Sequence, residues 1–480
     1  MPPTKKAKAP TKKAQAGALV SPEQTASASS RTSNVAFAPA YLLSLEMENV
    51  RSFGPRQRLS LMTSDGRPAR WTVILGNNGL GKTTVLEALA LLLPEKRDMG
   101  SKFVGLSRIA QHFYTVGSGK VRPWTRNSVA NSETQLDLSW TDALEKEPIV
   151  SRIVYREKYS SDPVLGRNWA GSSCTTFDFS KNTIAYGYGA SRRQGEGALT
   201  DESSSDPMAT LFGNSATLRN PEEWLLQTDY AAAKESPLQE RAKKQLEQVK
   251  QILARVLPGI HDVRVSAREI PGKQVRAMAE VRTDDGWVSM SALGLGYRTM
   301  TAWMIDFASR LFERYPDLDD PLSGPAICLV DEIDLHLHPR WQRELIGMLT
   351  QLFPQTQFVA TAHSPLIVQA ATDANLVVLR REGDHSIIDH HSHSVRNWRL
   401  DQILTSELFD LPSARPPHLD ALLRERDAIL AKTDLTRADE SRLAELRQAI
   451  GTMPIGETVE DLEAIELIRR AAAQLRKNQR

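Results

Sequence analysis

The run ILGNNGLGKTTVLEAL (74–89) constrains this chain more than any other stretch. Glycines at 76, 79 and 81 let a loop fold back so that backbone N–H groups converge on phosphates, at the start of a helix whose dipole favours anions. Lys82 adds a positive charge for the β- and γ-phosphates, and the Thr83 hydroxyl can ligate Mg2+, which completes a GxxxxGK[ST] match. Ahead of the loop, WTVIL (71–75) reads as a buried strand; behind it, TVLEALALLL carries apolar residues at helical spacing. Motif and context agree, so a chance Gly-rich turn explains the run poorly. Gly76, Asn77, Asn78, Gly79, Gly81, Lys82, Thr83 and Thr84 form the expected nucleotide-binding set.

A chain of 480 residues, 41% hydrophobic and 25% charged, has the composition of a soluble globular protein of two or three domains, or of one large domain with insertions. The formal net charge of +2 makes no bulk case for nucleic acid, though a local basic patch remains open. Cys174 and Cys328 are the two cysteines, which fits a reducing cytoplasm without a disulfide framework or a cysteine-based metal site. No apolar run reaches membrane-spanning length, and the N-terminus lacks the apolar core of a signal peptide. The expectation is a cytoplasmic protein.

Residues 1–38 are rich in Lys, Ala, Ser, Thr and Pro and are expected to be a disordered basic tail. From residue 41 the pattern changes to strand, turn at Gly54-Pro55, and strand. TQLDLSW and SRIVYREKY add strand-like runs, and 221–257 reads as an inserted helical pair divided at Pro237. HDVRVSA, VRAMAEV and GWVSM return to strand character before the amphipathic helix YRTMTAWMIDFASRLFERY. Three apolar strands follow, in PAICLVDEIDLHLHP, TQFVATAHSPLIV and NLVVL. The alternation predicts an α/β fold on a mostly parallel sheet, spanning 39–410, with a helical segment at 411–480. DHHSHS (389–394) reads as a turn whose histidines lack converging partners for a metal.

AICLVDE (326–332) is the second chemical element. A strand ending in two acids places carboxylates at the C-terminal edge of a parallel sheet, beside the nucleotide loop. Asp331 is then expected to hold Mg2+, and Glu332 to polarise the attacking water as a general base.

EIDLHLHP (332–339) and ATAHSPLIV (360–368) closely resemble the ABC-type ATPases of the SMC, RecF and OLD group. That resemblance implies ATP and Mg2+ as ligands, Asp334 as the D-loop aspartate, and His363 as the switch histidine contacting the γ-phosphate. It also implies at least a dimer, in which a signature loop of one subunit completes the site of the other. SALGLGYRTM (291–300) is the candidate, on Leu293, Gly296 and its position before a long helix; Gly294 stands where such signatures usually carry serine. Gln111 and Gln135 are both open as the Q-loop residue, with Gln111 preferred. IAYGYGASRR (184–193) is similar to the "YG…R" segment of defence-associated ATPases, with Arg192 or Arg193 able to reach a phosphate or a partner. No heptad arms lie between loop and signature, and 395–480 lacks a Toprim pattern. With VRNWRLDQILTSELF (395–409), the set resembles the PtuA-type ATPases of Septu and retron anti-phage systems across 41–410. The resemblance implies a regulatory ATPase holding a separate HNH nuclease, with nucleic acid a possible partner and no membrane. The alternative is a RecF-like repair ATPase that clamps DNA on ATP-driven dimerisation.

Overall fold

The computed structural model describes residues 40–93, 133–141, 149–156, 169–170, 185–195, 206–213, 215–269, 275–390, 395, 397–411, 414, 416–432, 434–450 and 467. The expected basic tail, Gln111, Cys174 and, apart from residue 467, the part of the expected helical segment beyond residue 450 lie outside those residues. In chain order, β1 (Tyr41–Glu48) and β2 (Gln57–Ser60) lead to β3 (Trp71–Gly76), the glycine loop and α1 (Lys82–Leu92). β4 (Glu133–Thr141), β5 (Ile149–Arg156), β6 (Trp169–Ala170) and β7 (Ala185–Tyr188) come next. Then follow α2 (Ala209–Phe212), α3 (Pro221–Ala233) and α4 (Gln239–Val256), with β8 (Asp262–Glu269), β9 (Val275–Thr283) and β10 (Gly286–Ser289). The last stretch holds α5 (Leu295–Arg314), β11 (Ala326–Val330), α6 (Pro339–Leu352), β12 (Thr356–Thr361), α7 (Pro365–Ala370), β13 (Asn375–Glu382), β14 (His385–His390), α8 (Leu400–Leu404), α9 (Pro417–Leu430) and α10 (Arg437–Ile450).

β3 sits inside a six-stranded sheet of order β14-β13-β3-β12-β11-β7, parallel throughout except for the edge strand β14. Parallel strands are buried on both faces, which explains their near-continuous apolar runs. Side chains still divide by the two-residue period of a strand. Trp71, Val73 and Leu75 join one core with Cys328, Val330, Phe358 and Ala360; Ile74, Ile327, Leu329 and Val359 join the other. In the first core α5 lays Trp303, Phe307 and Leu311 under the sheet at four-residue spacing, and Phe307 packs on Phe353 with ring centroids 4.7 Å apart. Trp71 stacks on Phe358 at 4.3 Å.

The second core lies between this sheet and an antiparallel sheet of order β2-β1-β4-β5-β6. Helix α1 belongs to that core: Val85, Leu86 and Leu89 are fully buried among Leu45, Met47, Leu136 and Leu138. Ten of its eleven residues are buried, so the helix is enclosed on nearly every side, with Lys82, Thr84 and Glu87 as its buried polar members. The glycine loop is thereby anchored at both ends in packed structure.

β8, β9 and β10 form a separate antiparallel sheet. Asn220 caps α3 through Glu222 and Glu223 N–H groups, fixing the start of the expected helical pair. One expectation is corrected: Asp389 and His390 are not in a turn but end β14, where the His390 ring meets the Ser60 N–H and Arg58 carbonyl, while residues 391–394 lie outside the described set. Helices α9 and α10 pair around Ile429, Leu430, Leu443 and Leu446, a cluster distinct from both main cores. Leu419, Leu422 and Leu423 are half-buried on α9.

Candidate nucleotide site

The loop between β3 and α1 takes left-handed φ angles at Gly76 (140°), Gly79 (81°) and Gly81 (96°). At Gly81 a side chain is excluded twice over, by that φ and because a Cβ would lie 2.5 Å from the Ser52 hydroxyl. Asn77, Asn78 and Gly79 form the exposed crest. Helix α1 begins at this loop with no side-chain cap and no acid in its first turn, leaving its leading N–H groups for an anion. The Lys82 ammonium turns back to donate to the Gly76 and Asn77 carbonyls at 2.8 and 3.1 Å, and burial holds its pKa below the usual lysine value. Behind the loop, Arg51 donates to the Thr84 hydroxyl at 3.2 Å and pairs with Glu87, whose carboxyl burial pushes upward in pKa. Thr84 thus directs its hydroxyl to Arg51, and Ser52 donates to the Leu80 carbonyl at 3.1 Å.

The sheet order brings the acidic strand end to this loop, because only β12 separates β11 from β3. Thr83 Oγ1 donates to Asp331 Oδ2 at 2.7 Å, joining residues 248 positions apart. Asp331 Oδ1 accepts from the Thr361 hydroxyl at 2.6 Å, and the same hydroxyl accepts from the Glu332 N–H at 2.7 Å. Glu332 has a left-handed backbone, with φ 47°. Arg192, which is 2% exposed, donates to the Asp331 carbonyl at 3.1 Å and the Glu332 carbonyl at 2.8 Å. Burial lowers its pKa to about 10, which still leaves it charged at neutral pH. Thr83 and Asp331 offer hard oxygen donors in contact, the kind Mg2+ takes. Among the described residues no three His, Cys, Asp or Glu side chains converge on a metal, so phosphate and water oxygens would have to complete its shell.

Asp334 and His363 meet at the same edge, but through backbone: the His363 N–H donates to Asp334 Oδ2 at 3.0 Å, and the His363 side chain is exposed. Asp334 is 9% exposed, and its Oδ1 has no partner among the described residues. Gln342 holds this corner together, donating to the Asp334 and Leu337 carbonyls and accepting from Ser364 at 2.6 Å.

The glycines of 291–300 lie elsewhere, at the N-terminus of α5 against the 334–338 loop. Gly294 faces open space, with nothing within 4 Å of a built Cβ. Gly296 does not: its Cβ would stand 2.3 Å from the His336 carbonyl, so this glycine serves a close approach within its own chain. A cavity of about 310 Å3 opens there between Gly294, Gly296, His336, His338 and Trp341. Gln135 is on β4, donating to Asp137 at 2.7 Å within the antiparallel sheet. Arg193 is exposed while its neighbour Arg192 is buried. Sequence reasoning missed Thr361, Arg51 and Gln342. The threonine in ATAHSP was visible as a polar residue closing an apolar strand; nothing local marked the other two.

Residues 44–257 match the family described as AAA domain, and residues 167–369 match the family described as AAA domain, putative AbiEii toxin, Type IV TA system. The chain is similar to the Retron Ec83 probable ATPase of Escherichia coli, at 31% identity over 46% of this chain and 38% of that one. It is also similar to the Septu protein PtuA of Bacillus mycoides (strain KBAB4), at 28% identity over 40% of this chain and 27% of that one. The chain therefore matches well under half the length of either relative. Among solved structures, the SMC head bound to the C-winged helix domain of ScpA matches with TM-score 0.40 and 15% identity, over 73% of this chain and 98% of that one. The glycine loop lies inside the first matched span and the acidic strand end inside the second, so both halves of this site fall in segments similar to AAA domains.

Proposed function

We propose that this chain is the ATP-binding and hydrolysing subunit of an anti-phage defence complex, and that its nucleotide state assembles and controls a separate HNH-type nuclease. The observation that carries the ATPase reading is the 2.7 Å bond between Thr83 and Asp331, which unites the phosphate loop with the acidic strand end. The defence reading is supported by the retron and Septu relatives. The loop N–H groups and the start of α1 receive the phosphates, and Lys82 exchanges its two carbonyl partners for phosphate oxygens. Thr83 and Asp331 would hold Mg2+, which when bound neutralises charge on the β- and γ-phosphates. Glu332 takes a proton from the attacking water, His363 contacts the γ-phosphate, and Asp334 fixes the His363 backbone. The open Gly294 corner of a second copy supplies the remaining N–H donors, so the active form is at least a dimer.

Two variants of the full chain test this division of roles. Lys82→Ala should abolish ATP binding, whereas Glu332→Gln should spare binding and slow turnover by roughly 10²–10⁴, the range of a general base. Equal loss of binding in both would remove the role given to Glu332. Co-purification with the products of neighbouring genes tests the nuclease: absence of any HNH protein from an active complex would end that part of the reading.

A further inference from the structure

Arg192 is almost wholly buried, yet among the described residues no carboxylate oxygen bonds its guanidinium. Among the described residues, the two N–H bonds it makes go to main-chain carbonyls, those of Asp331 and Glu332. The ring of Trp303 lies 5.4 Å from its Cζ, on the buried face of α5. The path that brings it there is specific. β7 runs parallel to β11 and adds one further ladder bond, Asp331 N–H to the Tyr188 carbonyl at 2.8 Å. Next comes Gly189, where a Cβ would stand 2.1 Å from the Thr210 carbonyl; the chain then turns so that Arg192, itself at φ 33°, returns to the acidic strand end.

Glu332 occupies a conformation that side chains other than glycine rarely adopt. Its two flanking peptide groups are held from opposite sides: the N–H by Thr361 from β12, the carbonyl by Arg192 from beyond β7. A non-glycine residue persists in such a region when its surroundings over-determine it, and such residues gather at functional sites.

We propose that Arg192 is a positioning residue whose planar fork, spanning two consecutive carbonyls, locks Glu332 in its left-handed conformation and so sets where its carboxylate stands. This rests on the reading of Glu332 as the base. A lysine would keep the charge but not the fork, because an ammonium presents no pair of coplanar donors. The fork acts on turnover through Glu332 and leaves the phosphate loop, on the far side of β12, untouched.

The test uses the full-length chain with Arg192→Lys, alone and combined with Glu332→Gln, reading ATP affinity, kcat and the thermal melt of each. Arg192→Lys is expected to lower kcat at least about 10-fold while ATP affinity stays within about 3-fold, the split that separates transition-state from uniform binding. In the Glu332→Gln background the same change should have almost no further effect on the residual rate, since two residues acting as one unit are not additive. Arg192→Gln, which retains planar amide donors without the charge or the reach, should show the same split. Multiplicative losses in the double variant would overturn the inference, as would loss of ATP binding and of the melt together with turnover, which would mean the guanidinium holds the fold. Wild-type kcat in Arg192→Lys beside an inactive Glu332→Gln defeats this inference alone. Wild-type kcat in Glu332→Gln itself defeats the underlying reading of the base.

Discussion

Replacing Thr361 by Val removes a single hydroxyl from a fully buried position and breaks two bonds at once. The bond to Asp331 is charge-assisted and contributes roughly 1.5–3 kcal/mol; leaving the Glu332 N–H without its acceptor costs roughly 1–3 kcal/mol more. Neighbouring terms of this kind do not add fully, so about 3 kcal/mol of destabilisation is expected. That is a large fraction of the 5–15 kcal/mol typical of a whole domain. Thr361→Ser is the matched control: it keeps the hydroxyl and loses one methyl, at a cost of about 1 kcal/mol. Urea unfolding of the two variants should separate their midpoints in that order. Activity should follow, because a Glu332 released at its N–H can leave the left-handed region, where it is held at a cost of roughly 1–3 kcal/mol. Turnover in Thr361→Val should therefore fall further than ATP affinity. If Thr361→Val unfolds at the same urea concentration as Thr361→Ser and hydrolyses ATP equally well, the bridge drawn here has no energetic content.

Other perturbations test the remaining parts of the site. Gly294→Asp should fold and bind ATP without turning it over, and should recover part of the activity when mixed with Lys82→Ala chains; full activity of Gly294→Asp alone would remove the signature role. Gly296→Asp is the less informative change, since any Cβ there collides with the His336 carbonyl, and a lowered melt is its expected first effect. Because burial holds Lys82 below the usual lysine pKa, raising the pH discharges it earlier than an exposed lysine. ATP affinity should accordingly decline on the alkaline side before the ordinary lysine range is reached, with proton uptake on binding by calorimetry; affinity that stays flat through that range contradicts the role of the charge. The purified single chain should cleave neither DNA nor RNA with added Mg2+, and truncation after about residue 412 should leave ATP binding intact while weakening nuclease association. Robust cleavage that no ATPase variant abolishes would overturn the division of labour.

What could be read from the sequence was local. The glycine loop, its flanking strand and helix, and the acidic end of β11 each occupy a short run in which spacing alone dictates geometry, and all lie where the pattern required. The helical pair was equally legible, from its apolar spacing and the break at Pro237; it spans Pro221–Ala233 and Gln239–Val256. What could not be read was whatever depends on which strands become neighbours. His390, in a run that suggested a turn, closes β14 because β13 offers it an antiparallel partner in Val377. Gly296 suggested a contact with a second chain, yet its first obligation is to His336 of its own.

Arg192 shows why such residues escape a sequence reading. Its bonds reach 139 and 140 positions along the chain to carbonyls, and a carbonyl carries no side-chain identity for a pattern to detect. The segment around it was conspicuous only as GYGASRR, where two adjacent arginines looked interchangeable. The fold separates them completely, leaving Arg193 exposed and enclosing Arg192. A buried guanidinium whose donors go unmet forfeits several kcal/mol of desolvation; here two of its nitrogens are met by the peptides that carry the acids, while Nε has no partner among the described residues. The two carboxylates are thus written locally in AICLVDE, whereas the side chains that hold the peptides carrying them, Arg192 and Thr361, come from elsewhere in the chain. A reading that stops at motifs will find the acids of such a site and miss what aims them.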